Sequence, residues 1–493
     1  MKSINRHLAW RMALVSVAWC AVASPAAGSS PAAARGESAW GVTRQWQGAG
    51  SCASGACHNA GGARGAARLD VRSPTKLSEY THWVKFDPHA KAFGILYADR
   101  SRRIEQALRG LKSVREAHPE RDGLCLNCHV HQNFERSQHV GDFALDDGVS
   151  CEGCHGAAQD WLQPHTQAGW RSLSDARKAA LGMVPTKDLV ERARVCVTCH
   201  VGSEVPDPVH GLVDVNHDLI AAGHPRMNFE YASFLAIYPR HWDIYEEKAR
   251  TPDLEARAWA IGQVVTGQQA LDLLGARARR FAGTTDGPEV RRVAEARARA
   301  GQTGGWPEFS EYSCFACHHD VRGRAVAGLG GRPGTPPWGT WYFPFLESGA
   351  FPAETSLVRS DLEALRREME KPYPDPTRVA AGARRAARNL DGLLRDLQGP
   401  RLDPGRLRGL MASLARAPEP ADRSTWDHAA QLYLALAALY HAQTDLAPYQ
   451  VDPRWRSTLQ AMVEELRYPP RRDSPYPYRP PTSFHQVLQL LGQ

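Results

Sequence analysis

Gly148-Val-Ser-Cys151-Glu-Gly-Cys154-His155-Gly-Ala-Ala-Gln-Asp-Trp-Leu-Gln-Pro-His165 is the stretch that decides how this chain folds. In Cys-x-x-Cys-His the two thiols add across the vinyl groups of a haem, and the histidine that follows is held under the iron. A single copy would compete with a zinc ligand pair or a redox dithiol. The pattern recurs at Cys125-Leu-Asn-Cys128-His129, Cys196-Val-Thr-Cys199-His200 and Cys314-Phe-Ala-Cys317-His318, and Cys52-Ala-Ser-Gly-Ala-Cys57-His58 is a variant with a four-residue gap. Ten of the eleven cysteines fall in these five motifs, and the eleventh is Cys20. No thiol is left for a disulfide or a zinc knuckle. The expectation is five covalently attached haem c groups, with His58, His129, His155, His200 and His318 as proximal iron ligands.

The beginning of the chain gives an address. Met1 to Arg11 is basic, and Met12 to Ala23 is apolar and small-rich, ending Ala21-Val-Ala23. That is the pattern of a secretory signal peptide over residues 1–23 with an Ala-x-Ala cleavage site. The apolar run is too short to span a bilayer. Trp19 sits where a lipoprotein site at Cys20 would need a small residue. The expected product is a periplasmic or otherwise exported protein, soluble after cleavage and without a membrane span. The net charge of +7 does not point to nucleic acid. Arginine pairs such as Arg279-Arg280 and Arg384-Arg385 are interspersed with acidic residues on helical stretches, and no basic patch with interleaved aromatics occurs.

The second and third motifs are only twenty-six residues apart, Cys125 to Cys151, so their haems must be close enough to exchange electrons. Lys187 to Arg194 reads as a short helix delivering the fourth motif, and Pro88 after Asp87 as the start of a helix carrying His89. Leu254, Ala258, Ile261 and Val265 follow helical spacing in a long insertion before the fifth motif. Gly328 to Pro337 is rich in Gly and Pro and marks a boundary. Beyond it no cysteine occurs, and helical stripes recur: Leu362, Leu365 and Met369; Leu432, Leu436 and Leu439 behind a Ser424-x-x-Asp427 capping box; Trp455, Leu459 and Met462 behind Asp452-Pro453. The expected fold class is mainly α: a pentahaem cytochrome c domain with a haem-packed core over residues 24–330, followed by a haem-free α-helical domain over residues 331–493.

What each iron does depends on its sixth ligand. A second histidine makes a low-spin electron carrier, and an open position lets substrate bind. His82, His89, His118, His131, His139, His165, His210, His217, His224 and His241 all lie between the first and last motifs, with His319 just beyond. His428, His441 and His485 lie in the haem-free region and read as structural.

Asp-Pro-His89-Ala-Lys-Ala, and Gly-Val-Ser-Cys-Glu-Gly-Cys-His-Gly with a histidine ten residues past His155, resemble the cytochrome c-554 family of multihaem c-type cytochromes over about Cys52 to His200. The resemblance implies that His89 faces the iron of His155 and His165 that of His58. It also implies a five-coordinate iron at His129, which His139 or His131 could close. The chain departs from the family in having five motifs rather than four, in its long first gap, and in lacking a histidine just upstream of the fourth motif. His217 and His224 are therefore the candidates for the fourth and fifth irons, in either order. Pentahaem nitrite reductases have Lys in place of one motif His, whereas all five motifs here end in His, and hydroxylamine oxidoreductases carry eight haems.

The expected function is electron relay between periplasmic redox partners, quinol-linked proteins or other cytochromes among them, with no catalytic residue assigned. The alternative is an oxidoreductase whose His129 haem acts on a small nitrogen or oxygen compound. The helical C-terminal region is expected either to dock a partner or to shield the fifth haem.

Overall fold

The computed structural model describes residues 44–59, 77–204, 211–283, 305–314, 336–347, 356–399, 402–416, 425–468 and 483–491. The expected signal peptide of residues 1–23 with Cys20, His210, Cys317, His318 and His319, the Gly-Pro boundary up to Thr335, and the segment Pro469–Pro481 lie outside them. The described chain is mainly α, with four two-residue strands. β1 (Gln45–Trp46) pairs in parallel with β2 (Gln138–His139), and β3 (Ser203–Glu204) pairs antiparallel with β4 (Leu212–Val213). No helix among the described residues is long and apolar enough to cross a membrane.

The part that carries the first four motifs is built from short helices: α1 (Glu79–Phe86), α2 (Asp99–Arg109), α3 (Gly123–His129), α4 (Cys151–His155), α5 (Asp175–Ala180) and α6 (Leu189–His200). Between them run 3₁₀ turns, among them Pro88–Lys91 and Gly94–Tyr97. Side-chain caps start several of these pieces. Asp122 accepts the N–H of Leu124, Asp188 accepts those of Val190 and Glu191, and Asp87 accepts that of His89. Apolar burial here is divided into small clusters, such as Phe93, Leu96, Leu126 and Val130, or Ala158, Trp161 and Trp170.

After α7 (His217–Ala221), α8 (Tyr231–Ile237) and α9 (Ile244–Arg250) comes α10, the 28-residue helix Leu254–Phe281. Residues on every face of α10 are buried, among them Ala256, Trp259, Ile261, Val264, Leu271 and Leu274. A helix apolar all round needs neighbours all round. They are α6 and α8 on one side, and α11 (Pro344–Glu347), α13 (Pro376–Leu397) and α15 (Trp426–Leu446) on others. A side chain at Gly262 would bring its Cβ within 2.6 Å of Tyr231 Cβ, so glycine is what lets α8 lie against α10.

The remaining helices, α12 (Ser356–Met369), α14 (Pro404–Arg416), α16 (Arg454–Leu466) and α17 (Ser483–Leu491), complete the bundle. One continuous core runs from Leu189 and Val197 of α6 through α10 to Leu390, Leu436 and Met462. The helix that sequence assigns to the haem-bearing part thus shares its core with helices beyond the Gly-Pro segment. The cap of α15 is Thr425, whose hydroxyl accepts the His428 N–H, one residue past the expected Ser424. Ser424 itself lies outside the described residues. Arg277 of α10 is buried between Asp214 Oδ2 and Glu311 Oε1, each at 2.5 Å, and fastens the segments flanking it in space.

Candidate haem sites

Three of the four fully described motifs lie on helices. The second is the end of α3, the third is the whole of α4, and the fourth is the last turn of α6. A helical turn places cysteines three apart and the following histidine on one face, as attachment to a single ring requires. The first motif occupies the turn after the 3₁₀ segment Ala49–Cys52. Of the fifth, Cys314 is described, with Arg226 Nη1 3.2 Å from its Sγ, while Cys317 and His318 lie outside the described residues.

The residue inside the third motif, Glu152, is fully buried. Its carboxylate accepts the backbone N–H groups of Gln47 (3.0 Å), Gly48 (2.8 Å) and Ala158 (2.6 Å), tying α4 to the lead-in of the first motif. Cys52 and Cys151, from the first and third motifs, are hydrogen-bonding neighbours, and so are Cys128 and Cys199 from the second and fourth.

The histidines fall into facing pairs. His58 and His165 have ring centroids 6.3 Å apart with planes 12° from parallel. His155 faces His241 at 6.3 Å and 68°, and His200 faces His89 at 6.1 Å and 80°. A metal–imidazole bond of about 2 Å on each side of one iron puts two ring centroids roughly 6 Å apart. The three pairs therefore fit an iron held between two imidazoles. His129 has His224 as its histidine neighbour in the electrostatics of the site. His217 lies beside the approach to the fifth motif: its backbone N–H reaches Glu308 Oε1 at 2.8 Å, and its ring meets Phe309 edge-on at 5.6 Å.

The nitrogen turned away from each iron position is held in most of these rings. His129 Nδ1 donates to Ala92 O (2.7 Å), His224 Nδ1 to Pro225 O (2.9 Å) and His165 Nδ1 to Leu162 O. His58 Nδ1 meets Glu79 Oε2 at 3.0 Å and His89 Nδ1 meets Asp87 Oδ1 at 2.9 Å. Such bonds fix the tautomer with Nε2 free to ligate, and carboxylate partners raise the basicity of the ligand. Burial pushes His155 and His200 down to about 4, so both stay neutral, as an iron ligand must. Burial also works against a charged His89, yet the hydrogen bond and charge of Asp87 bring it above the usual histidine range.

Two expectations change. His89 was implied for the iron of His155, but its ring faces His200. Its backbone does belong to the third motif: Val149 N–H donates to His89 O at 3.0 Å, and Gly148 (φ +61°) passes so close that a Cβ there would lie 2.5 Å from that oxygen. Asp87 then swings the ring across to α6. The place opposite His155 belongs to His241, which no spacing relation ties to a motif and which the turn after α8 brings in. His139 is the second change. Its Nε2 is 2.9 Å from Nε2 of His131, inside an aromatic group of Trp46, Phe134 and Phe143, so this nitrogen is engaged away from His129. Of His217 and His224, left open between the fourth and fifth irons, His217 lies beside the lead-in to Cys314, as one of the two orders has it, while His224 is near enough to His129 to act on its charge. His118 is exposed beside Glu120, and His82 is buried against Phe86.

Attachment cysteines on helical turns with histidines facing across an iron's width are the arrangement by which a c-type cytochrome, an electron-transfer protein, holds covalently bound haem c. A family model described as cytochrome c554 and c-prime matches residues 52–156, and over that segment the chain is similar to the cytochrome c554 family. No curated protein and no solved structure matches the chain.

Proposed function

We propose that this is an exported pentahaem cytochrome that relays electrons between periplasmic redox partners, with every iron closed by two histidines. The five haem c groups would be held by Cys52, Cys57 and His58; Cys125, Cys128 and His129; Cys151, Cys154 and His155; Cys196, Cys199 and His200; and Cys314, Cys317 and His318. The opposing ligands in the same order would be His165, His224, His241, His89 and His217. Each haem c supplies a one-electron couple. The observation that carries the reading is the set of facing histidine pairs at 6.1–6.3 Å.

The work of the chain is to hold, orient and exclude. Cys52 lies beside Cys151, and Cys128 beside Cys199, so the attachment points of two motifs are adjacent in each case, the proximity that electron exchange needs. Carbonyl and carboxylate acceptors keep the ligating nitrogens aimed. His224 acts on the charge of His129, which supports a histidine on that iron over the oxidoreductase alternative. The chain after the Gly-Pro segment serves to shield rather than to dock: from the turn before α11, Trp341 Nε1 donates to Phe229 O at 2.9 Å and Tyr342 Oη to Met227 O at 3.2 Å, covering the irregular segment that follows Arg226.

Replacing His241 by Ala tests the pairing. The expected result is one new high-spin haem that binds cyanide while the others stay low-spin. An unchanged spectrum would remove His241 from the ligand set and reopen the distal side of the His155 iron.

A further inference from the structure

We infer that Asp87 is the positioning residue that sets the potential of the haem held between His89 and His200, and that Tyr238 moderates it; this rests on the ligand reading above. Asp87 closes α1, with its N–H on Trp83 O, and at the same time caps the 3₁₀ turn that carries His89. Its side chain is only 1% exposed. The two carboxylate oxygens are divided: Oδ1 accepts both Nδ1–H and the backbone N–H of His89, each at 2.9 Å, and Oδ2 accepts the Tyr238 hydroxyl at 2.6 Å. Tyr238 comes from just past α8, 151 residues along the chain, and its ring also lies 6.1 Å from that of His89.

A carboxylate that takes up the N–H of an iron-bound imidazole makes that ligand a stronger donor and favours the ferric state. Burial keeps solvent and salt from screening the charge. The molecule contains its own control. Nδ1 of His155 and Nδ1 of His241 are both buried with no hydrogen-bond partner among the described residues, so that pair lacks any such acceptor. Glu79 on His58 is the other carboxylate partner, but its side chain is 29% exposed, where water weakens the effect. Among these haems, the one at His89 and His200 therefore has the lower potential and the one at His155 and His241 the higher. Tyr238, by hydrogen bonding to the same carboxylate, draws charge away from His89 and limits the drop.

The test is a potentiometric titration of the full haem-loaded protein followed by electron paramagnetic resonance, the haem being identified as the one whose low-spin signal is lost in His89→Ala. In Asp87→Asn that signal should be reduced at higher potential by about tenfold in the ferric/ferrous equilibrium, about 59 mV for a one-electron couple. Asp87→Glu should recover part of the shift. Tyr238→Phe should move the same haem the other way by less, and the His155 haem should stay where it is in each variant. An unmoved potential with the low-spin signal intact in Asp87→Asn overturns the inference, and so does an equal shift at the His155 haem. If Asp87→Asn fails to take up haem, Tyr238→Phe decides alone, and no downward shift there overturns it. Failure of the ligand reading shows separately, as His89→Ala leaving every haem low-spin.

Discussion

The stretch from Gln45 to Thr186 and the bundle around α10 bury their chains by different means. In the first, apolar side chains gather in clusters of three or four, and much of the order comes from buried polar groups such as Glu152, Asp87 and Asp122 holding backbone N–H groups. In the second, one apolar core links α6, α10, α13, α15 and α16. Where a covalently bound ring supplies the apolar mass, the chain around it need only be turns, caps and ligands. Where no ring is present, long helices must do the burying themselves.

Withholding haem breaks this contrast most severely. In protein matured without haem, residues 44–186 should be open to proteolysis, while a helical fragment containing α10, α13 and α15 should persist with its far-ultraviolet circular dichroism. Loss of both parts together would show that the bundle depends on the haems. Next in size is Arg277→Ala, which strands Asp214 and Glu311 in the interior and should cost about 3–5 kcal/mol in denaturant unfolding. Its haem absorption should be unchanged up to the transition. Glu152→Gln should cost roughly 1.5–3 kcal/mol, since charge-assisted bonds to three backbone N–H groups become weaker or are lost. Here hydrogen exchange should quicken at Gln47, Gly48 and Ala158 and not in α10. The smallest is Thr425→Ala, which removes the cap of α15 for about 1 kcal/mol and should leave every haem potential alone.

The same contrast explains what the sequence disclosed. Five attachment motifs and their proximal histidines are local patterns, and the periodicity of Leu254 to Val265 is a local pattern too, so both could be read directly. The opposing ligands are not local. His241 faces His155 from 86 residues along the chain, and a spacing rule cannot see that. His89 shows the limit of resemblance: its backbone is bound to the third motif through Val149, but Oδ1 of Asp87 settles where its ring points. The continuity of the core across the Gly-Pro segment was hidden for a related reason. Gly and Pro mark where the chain turns, whereas the burial of α10 on all faces shows that elements on both sides of the turn must meet.

The ring angles give the pairing a spectroscopic signature. Near-parallel rings at His58 and His165, 12° apart, should give a rhombic low-spin signal, and the crossed pairs at 68° and 80° strongly anisotropic ones.

The central claim, that every iron is closed by two histidines, is tested most directly by electron paramagnetic resonance of the ferric protein with and without cyanide. The expected result is low-spin signals alone, of both kinds, unchanged by the added ligand. A high-spin signal that cyanide converts to low-spin would contradict it and would make that haem a place where substrate binds.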